Sequence, residues 1–239
     1  MKRLLISSLI YALSLTALAE GMQPFTAEME AIRHGAIDIK ARGTLQLRET
    51  APDEWHYRLS TDGRTLSLRE ESWLTVVDDQ IRPTRYEFES KVFWVKTTKS
   101  LRFDHERQRV TGRVEKDRID EGFAAPIYDA IGYQLALQQA LARGEESITL
   151  NVLRHKRPDD MSFRVIGEEM LQLPQGEIYT WIVEQTEPVS RDERKLIWIA
   201  PGLGYTPMRF GRYEDGDLKE EIRVLSLQLN GQRVDFSQQ

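Results

Sequence analysis

The sequence predicts a mainly β fold (α+β): a large curved antiparallel sheet or open barrel with one long helix packed on its concave face. Three observations lead there. Short segments of alternating apolar and polar residues recur along most of the chain, separated by turn signals such as Asp62-Gly63, Pro174-Gln175-Gly176 and Asp215-Gly216. One stretch, Pro126 to Arg143, departs from that period and repeats apolar residues at helical spacing. Several strand-like runs are apolar on both faces, and such strands need cover on both sides.

The chain opens with Lys2 and Arg3, an apolar run from Leu4 to Leu18, and Ala17-Leu18-Ala19 ahead of Glu20. A charged start, a short apolar stretch and a small-x-small end are the parts of a secretory signal peptide. At about fifteen residues the run is shorter than the ~20 a membrane-spanning helix needs. The expectation is cleavage after Ala19 and a periplasmic mature chain, residues 20–239, forming a single β-rich domain. Every later apolar run is broken by charge within a few residues, so no transmembrane anchor is expected. Cysteine is absent, which excludes disulfides, thiolate metal sites and a lipoprotein-type anchor at the cleavage point. The formal charge of -5 becomes about -7 without Lys2 and Arg3, and an acidic chain does not suit nucleic acid as a partner.

Along the mature chain, Trp55, Tyr57 and Leu59 share one strand face before the Asp62-Gly63 hairpin signal. The next run begins in even phase with Leu66 and Leu68 and continues in odd phase with Trp73, Thr75 and Val77. That change of phase predicts a bulge near Glu70-Glu71, ahead of a turn at Asp78-Asp79. Arg85 to Ser90 places Tyr86 and Phe88 on one side; Leu101 and Phe103 precede the turn Asp104-His105-Glu106, and Val110 to Val114 returns. Further strands are predicted at Ile148 to Leu153, Met161 to Ile166, Glu177 to Glu184, Arg194 to Ala200, Met208 to Tyr213 and Glu221 to Leu229.

The helix is predicted near 126–143. Ile127, Ile131 and Leu135 form one apolar stripe, and Tyr133, Leu137 and Leu141 an adjacent one. Pro126 suits a first turn, Asp129 complements the positive helix end and Gly144 fits the C-terminal cap. Its apolar surface is too wide for a helix exposed to water.

Residues that would carry chemistry do not assemble into a motif. The four histidines, His34, His56, His105 and His155, lack metal-ligand spacing. Carboxylates occur as doublets, Asp78-Asp79, Asp159-Asp160, Glu168-Glu169 and Glu220-Glu221, whose members point to opposite faces of a strand. No Gly-x-Ser-x-Gly elbow exists, and Gly202-Leu203-Gly204 lacks the third glycine of a dinucleotide loop. No enzyme activity, cofactor or metal is therefore expected.

The unusual feature is the apolar load of Val92-Phe93-Trp94-Val95, Ile178 to Val183 and Leu196 to Ala200, all apolar on both faces. The chain resembles the bacterial domain-of-unknown-function family 3108 in Ser90-Lys91-Val92-Phe93, in the Asp129 to Leu141 helix, and in Trp198-Ile199-Ala200-Pro201 followed by Thr206-Pro207-Met208-Arg209. That resemblance implies a periplasmic β-rich domain and brings no catalytic residues. A curved sheet with a helix against its concave side also looks like the lipoprotein-carrier half-barrels, an analogy of fold. Two functions are expected from this reading. The first is a carrier or binding module for an apolar ligand (acyl chain, lipid or lipidated peptide) lined by Tyr86, Phe88, Phe103, Tyr179, Trp181, Trp198 and Phe210. The alternative is a packed module that binds an envelope protein through its charged outer faces.

Overall fold

Alternating apolar and polar residues carry most of the chain into strands of one continuous, open sheet. The computed structural model describes residues 22–62 and 66–236. The signal-like segment 1–19, the cleavage point ahead of Glu20 and the Gly63 turn lie outside the described residues. Eight strands form a first meander: β1 (Phe25–Arg33), β2 (Ile39–Ala51), β3 (Glu54–Asp62), β4 (Leu66–Val77), β5 (Gln80–Val92), β6 (Val95–Asp104), β7 (Arg109–Val114) and β8 (Asp117–Gly122). The short β9 (Tyr128–Asp129) and helix α1 (Tyr133–Ala142) follow. A second meander comprises β10 (Ser147–Leu153), β11 (Asp159–Leu173), β12 (Gly176–Glu187), β13 (Glu193–Ala200), β14 (Thr206–Glu214) and β15 (Asp217–Leu229), with β16 (Gln232–Arg233) paired to β15.

The two meanders join where β1 pairs with β15, so the strand order runs from edge strand β8 through β1, β15 and β10 to β9. Every ladder is antiparallel except β9 with β10. Register explains the inner face. Leu47, Tyr57, Ser72, Tyr86, Leu101 and Gly112 stand opposite one another across six strands and therefore point the same way. Within that row, which Ile119 continues on β8, Gly112 has φ +149, and a Cβ there would lie 2.0 Å from the Ser100 carbonyl oxygen. Only glycine fits.

The predicted strands are present, several of them longer than expected, and Trp55, Tyr57 and Leu59 share the inner face. β1, β2 and β8 were not anticipated. The bulge of β4 falls at Trp73/Leu74 rather than at Glu70-Glu71. There Trp73 turns outward to stack on His56, with centroids 4.8 Å apart, and under the Arg85 guanidinium, while Leu74 turns inward and is buried. Val92-Phe93-Trp94-Val95 is not a buried strand but the exposed β5–β6 turn and its flanks.

The helix is also shorter than the 126–143 expected. α1 has ten residues, about 15 Å, because the chain before it is tied into the sheet. Tyr128 and Asp129 pair with Val152 and Leu153, and the buried Asp129 carboxylate accepts the backbone N–H groups of Ile131 (3.0 Å) and Gly132 (2.7 Å). The Ser72 hydroxyl of β4 donates to the same carboxylate. Pro126 thus lies outside the helix. Gly144 ends it as expected, with φ +81 and its N–H on the Leu141 carbonyl. Leu135, Ala136, Leu137, Ala140 and Leu141 are buried against the sheet, each leucine contributing about 1.5–3 kcal/mol.

Two consequences are measurable. Burial pushes the Asp129 carboxyl up to about 6, against the opposing hydrogen bonds from Ser72, Gly132 and Ile131. A folded-state value above the unfolded one means that the native state holds the extra proton between about pH 4 and 6. Stability from this group is therefore greatest below about pH 4 and falls as pH rises to about 6, by roughly 2–3 kcal/mol. Urea titrations of wild type and Asp129→Asn should show this slope in the difference between them; a pH-independent difference would contradict it. Gly112→Ala should cost about 3 kcal/mol or more in the same titration, since backbone must move to admit the methyl.

Candidate functional site: an apolar cavity beneath the helix

Between α1 and strands β1–β3 and β13–β15 lies a cavity of about 230 Å³. Met29, Leu45, Leu59, Ile197, Ile199, Met208, Phe210, Ile222 and Val224 wall it from the sheet, and Leu137 from the helix. Strand register brings them together: Leu45 stands opposite Leu59, Met29 opposite Val224, and Phe210 opposite both Ile197 and Ile222. The polar groups on its border are Tyr133, Gln134, Gln138 and Arg209. Gln134 is engaged, its Oε1 accepting the Tyr57 hydroxyl at 2.7 Å. Arg209 lies over the Trp198 ring at 4.5 Å with its Nε 2.6 Å from Glu221. The Gln138 Nε2 is buried with no hydrogen-bond partner among the described residues. Gln138 also borders a smaller cavity of about 70 Å³ shared by α1, β1, β2 and the 203–206 segment.

Of the seven aromatics expected to line a ligand site, Phe210 borders the larger cavity. Tyr86, Phe88 and Phe103 do share a face, opposite Leu101, Lys99 and Val110, but in the other half of the sheet. Tyr86 and Phe103 are buried there as core, and Phe88 lies half-buried under the Lys99 ammonium, 5.3 Å from its ring centre. Trp181 pairs with Ile199 and Trp198 with Ile182, so the two tryptophans project to opposite faces. Trp181 is on the Ile199 side and meets Tyr205 edge-on at 5.6 Å. Trp198 points away from the cavity, and its Nε1 donates to Glu169 at 2.6 Å. Tyr179 is 42 % exposed and its hydroxyl donates to Glu168. The structure therefore does not bring the seven into one site.

Sequence reasoning missed the cavity residues other than Phe210, which come from β1–β3, α1 and β13–β15, and of these Met29 and Leu45 lie on strands, β1 and β2, that it did not predict. Their signal was present: Phe25, Ala27 and Met29 alternate with Thr26, Glu28 and Glu30, and Leu45-Gln46-Leu47 alternates likewise.

A second cluster lies near the other flank of the helix. Glu70 accepts the Tyr86 hydroxyl at 2.7 Å. Burial raises the Glu70 carboxyl, the charge of Asp129 raises it further, and the Tyr86 hydrogen bond and Lys99 pull it back. Burial likewise pushes the Tyr133 hydroxyl up to about 12 and lowers the Lys99 ammonium, which donates to the Arg154 carbonyl at 2.8 Å. Glu70, Tyr86 and Lys99 are thus bound to protein groups that they hold in place. Among the described residues no three His, Asp or Glu side chains are grouped to hold a metal ion. No helix there is long and apolar enough to cross a membrane.

No curated protein matches the chain. Among solved structures, the beta-barrel-like protein of domain of unknown function DUF1849 from Brucella abortus superposes with a TM-score of 0.56 at 9 % identity, over 87 % of this chain and 98 % of that one. The likeness is one of fold. The Pseudomonas aeruginosa MucA/MucB complex gives a TM-score of 0.41 at 12 % identity, covering 92 % of this chain and 56 % of that one. A putative outer membrane lipoprotein-sorting protein domain from Vibrio parahaemolyticus gives 0.27 at 13 % identity, over 88 % and 86 % of the two chains. These two superpose too loosely to bear on the assignment. The model of the family described as protein of unknown function DUF3108 matches residues 28–222, and the chain belongs to that family.

Proposed function

We propose that the protein is a non-catalytic binding or carrier module for an apolar ligand, an acyl chain, lipid or lipidated peptide, working in the periplasm. The observation that carries this reading is the apolar cavity under α1, bordered by one buried amide, that of Gln138, without a partner among the described residues. Apolar cavities of about 150 Å³ already take up small hydrocarbons. One of about 230 Å³ suits a short stretch of acyl chain. Gln138 supplies a donor where a carbonyl at the head of that chain would end. Export rests on the charged, apolar and small-x-small segment of residues 2–19.

Native mass spectrometry on protein recovered from the periplasm without detergent, followed by solvent extraction, tests the class. The expected result is a discrete extra mass that extracts as lipid. A clean apo mass with no uptake of a fluorescent acyl probe would overturn the carrier reading in favour of a packed interaction module. Ile222→Trp, at the cavity wall, should reduce probe uptake about tenfold while leaving the fold intact by circular dichroism.

Gln138→Leu removes the unpaired amide. It should raise stability of the ligand-free protein by about 1 kcal/mol and weaken an acyl ester more than the matching alkane. A drop in stability, or equal weakening of both ligands, would show that Gln138 has no such role.

A further inference from the structure

A two-residue hairpin turn of the favoured types needs positive φ at its first central position, where glycine, asparagine or aspartate is preferred. The β5–β6 turn has Phe93 at that position, with φ +54, followed by Trp94. Phe93 is 61 % exposed and Trp94 86 %, and their flanks Val92 and Val95 are exposed as well. The two rings lie 5.8 Å apart, against each other rather than in the core. Neither turn geometry nor packing accounts for two bulky aromatics here, and exposed apolar groups of this size mark a contact surface.

The same rim carries a second apolar tip. Gly43, Thr61, Leu68, Ser90 and Thr97 form one row across β2 to β6. Beyond that row, on the same side, β5 continues three residues to Phe93 and β2 continues four to Ile39. Ile39 is 64 % exposed and Ile37, in the adjoining turn, 85 %. Both tips therefore reach a similar height.

The charge around them has one sign in excess. Lys40, Lys91, Lys116 and Arg157 are exposed and carry no ion pair among the described residues. The neighbouring acids Glu89, Asp117 and Asp159 are taken up by Lys96, Lys156 and Arg154; Asp38, whose carboxylate lies 3.3 Å from the His34 ring, Glu115 and Asp160 remain. Lys156 holds the 154–158 loop against the start of β8, and so beside the β7–β8 turn that carries Lys116. Next to the Ile37/Ile39 tip, where Arg33 stands opposite Glu220 and the His34 N–H donates to the Lys219 carbonyl, the β14–β15 turn is acidic, with Glu214, Asp215 and Asp217, so the cationic excess lies on the side of the aromatic tip.

We propose that this sector, led by Phe93-Trp94 with Lys91, Lys116 and Arg157 beside it and Ile37 and Ile39 as a second apolar tip, docks the protein reversibly on an anionic lipid surface. Tryptophan favours the headgroup boundary, where its ring is apolar and its N–H stays hydrated. Lysine and arginine around it meet anionic headgroups, so shallow insertion and charge act together. The inference stands apart from the cavity, since it concerns the outer rim.

Vesicle flotation of the chain from Glu20 onward, which contains every described strand, tests it. Binding is expected to vesicles of phosphatidylglycerol and phosphatidylethanolamine, and to fall about tenfold on phosphatidylcholine or at ~0.5 M NaCl. Phe93→Ser with Trp94→Ser should lower binding about tenfold without moving the melting temperature, and Trp94→Tyr should retain most of it. Met170→Ser, exposed near the opposite rim, serves as the control that leaves binding unchanged. Failure of the parent chain to float on phosphatidylglycerol vesicles, or equal flotation of the double serine variant, would overturn the proposal. A Trp94-dependent crosslink to an envelope protein without flotation would put a protein partner in place of the lipid and overturn it equally.

Discussion

The concave side of a sheet this large can be kept from water only by something inserted into the curve. α1 is that insert, and the buried Asp129 carboxylate sets where it starts. Two backbone N–H groups and the Ser72 hydroxyl converge on it, so the chain entering the helix is fixed to β4 as well as to β10. The helix then touches both meanders, through Tyr57 to Gln134 on β3 and through the stacked rings of Tyr133 and Phe163 on β11. A buried charge is costly, and the three hydrogen bonds offset only part of that cost, which is why the carboxyl titrates high. Position of the helix is what this group secures.

The cavity follows from the same arrangement. A ten-residue helix is about 15 Å long, whereas a thirteen-residue strand such as β2, β5 or β15 runs about 43 Å. One short rod cannot cover the whole inner surface. Its buried positions include the small Ala136 and Ala140, which lets the sheet approach closely at some points without filling the flanks. The larger space opens against β1–β3 and β13–β15, where the two meanders join, and the walls there are aliphatic apart from Phe210 and its polar border. Space of this kind is what a short helix leaves uncovered beside it.

Interior and rim obey opposite rules. Inside, aromatic side chains such as Tyr57, Tyr86 and Phe163 are buried, and the hydroxyls of the first two find an acceptor. At the rim, Phe93 and Trp94 are held out by a turn that favours smaller residues. On the proposed carrier reading, a module that holds an apolar molecule must also reach the phase from which that molecule comes, and the proposed docking rim would supply a means of doing so.

Local periodicity was enough to read much of the fold. Trp55, Tyr57 and Leu59, or Leu101 and Phe103, declare a strand face by alternation among neighbours in the chain, and Asp78-Asp79 and Asp215-Gly216 declare turns by their tolerance of positive φ. One helix and a curved antiparallel sheet were legible in the same way, and the family resemblance rested on residue runs such as Trp198-Ile199-Ala200-Pro201. The helix start was not, because the Ser72 hydroxyl that binds Asp129 stands 57 residues away. Nor was the fate of the apolar runs: alternation alone cannot separate a strand covered on both sides, as in Leu196 to Ala200, from a hairpin tip in water, as in Val92 to Val95. The ladder between β12 and β13, which sets Trp181 opposite Ile199 and Trp198 opposite Ile182, decided that the two tryptophans face opposite ways. The cavity itself belongs wholly to the tertiary structure, since Met29 meets Val224, and Leu45 meets Leu59, only through pairing between strands. Alternation is a property of adjacent residues and is written in the sequence; a cavity is what remains after distant strands and one short helix have packed, and no local pattern encodes a remainder.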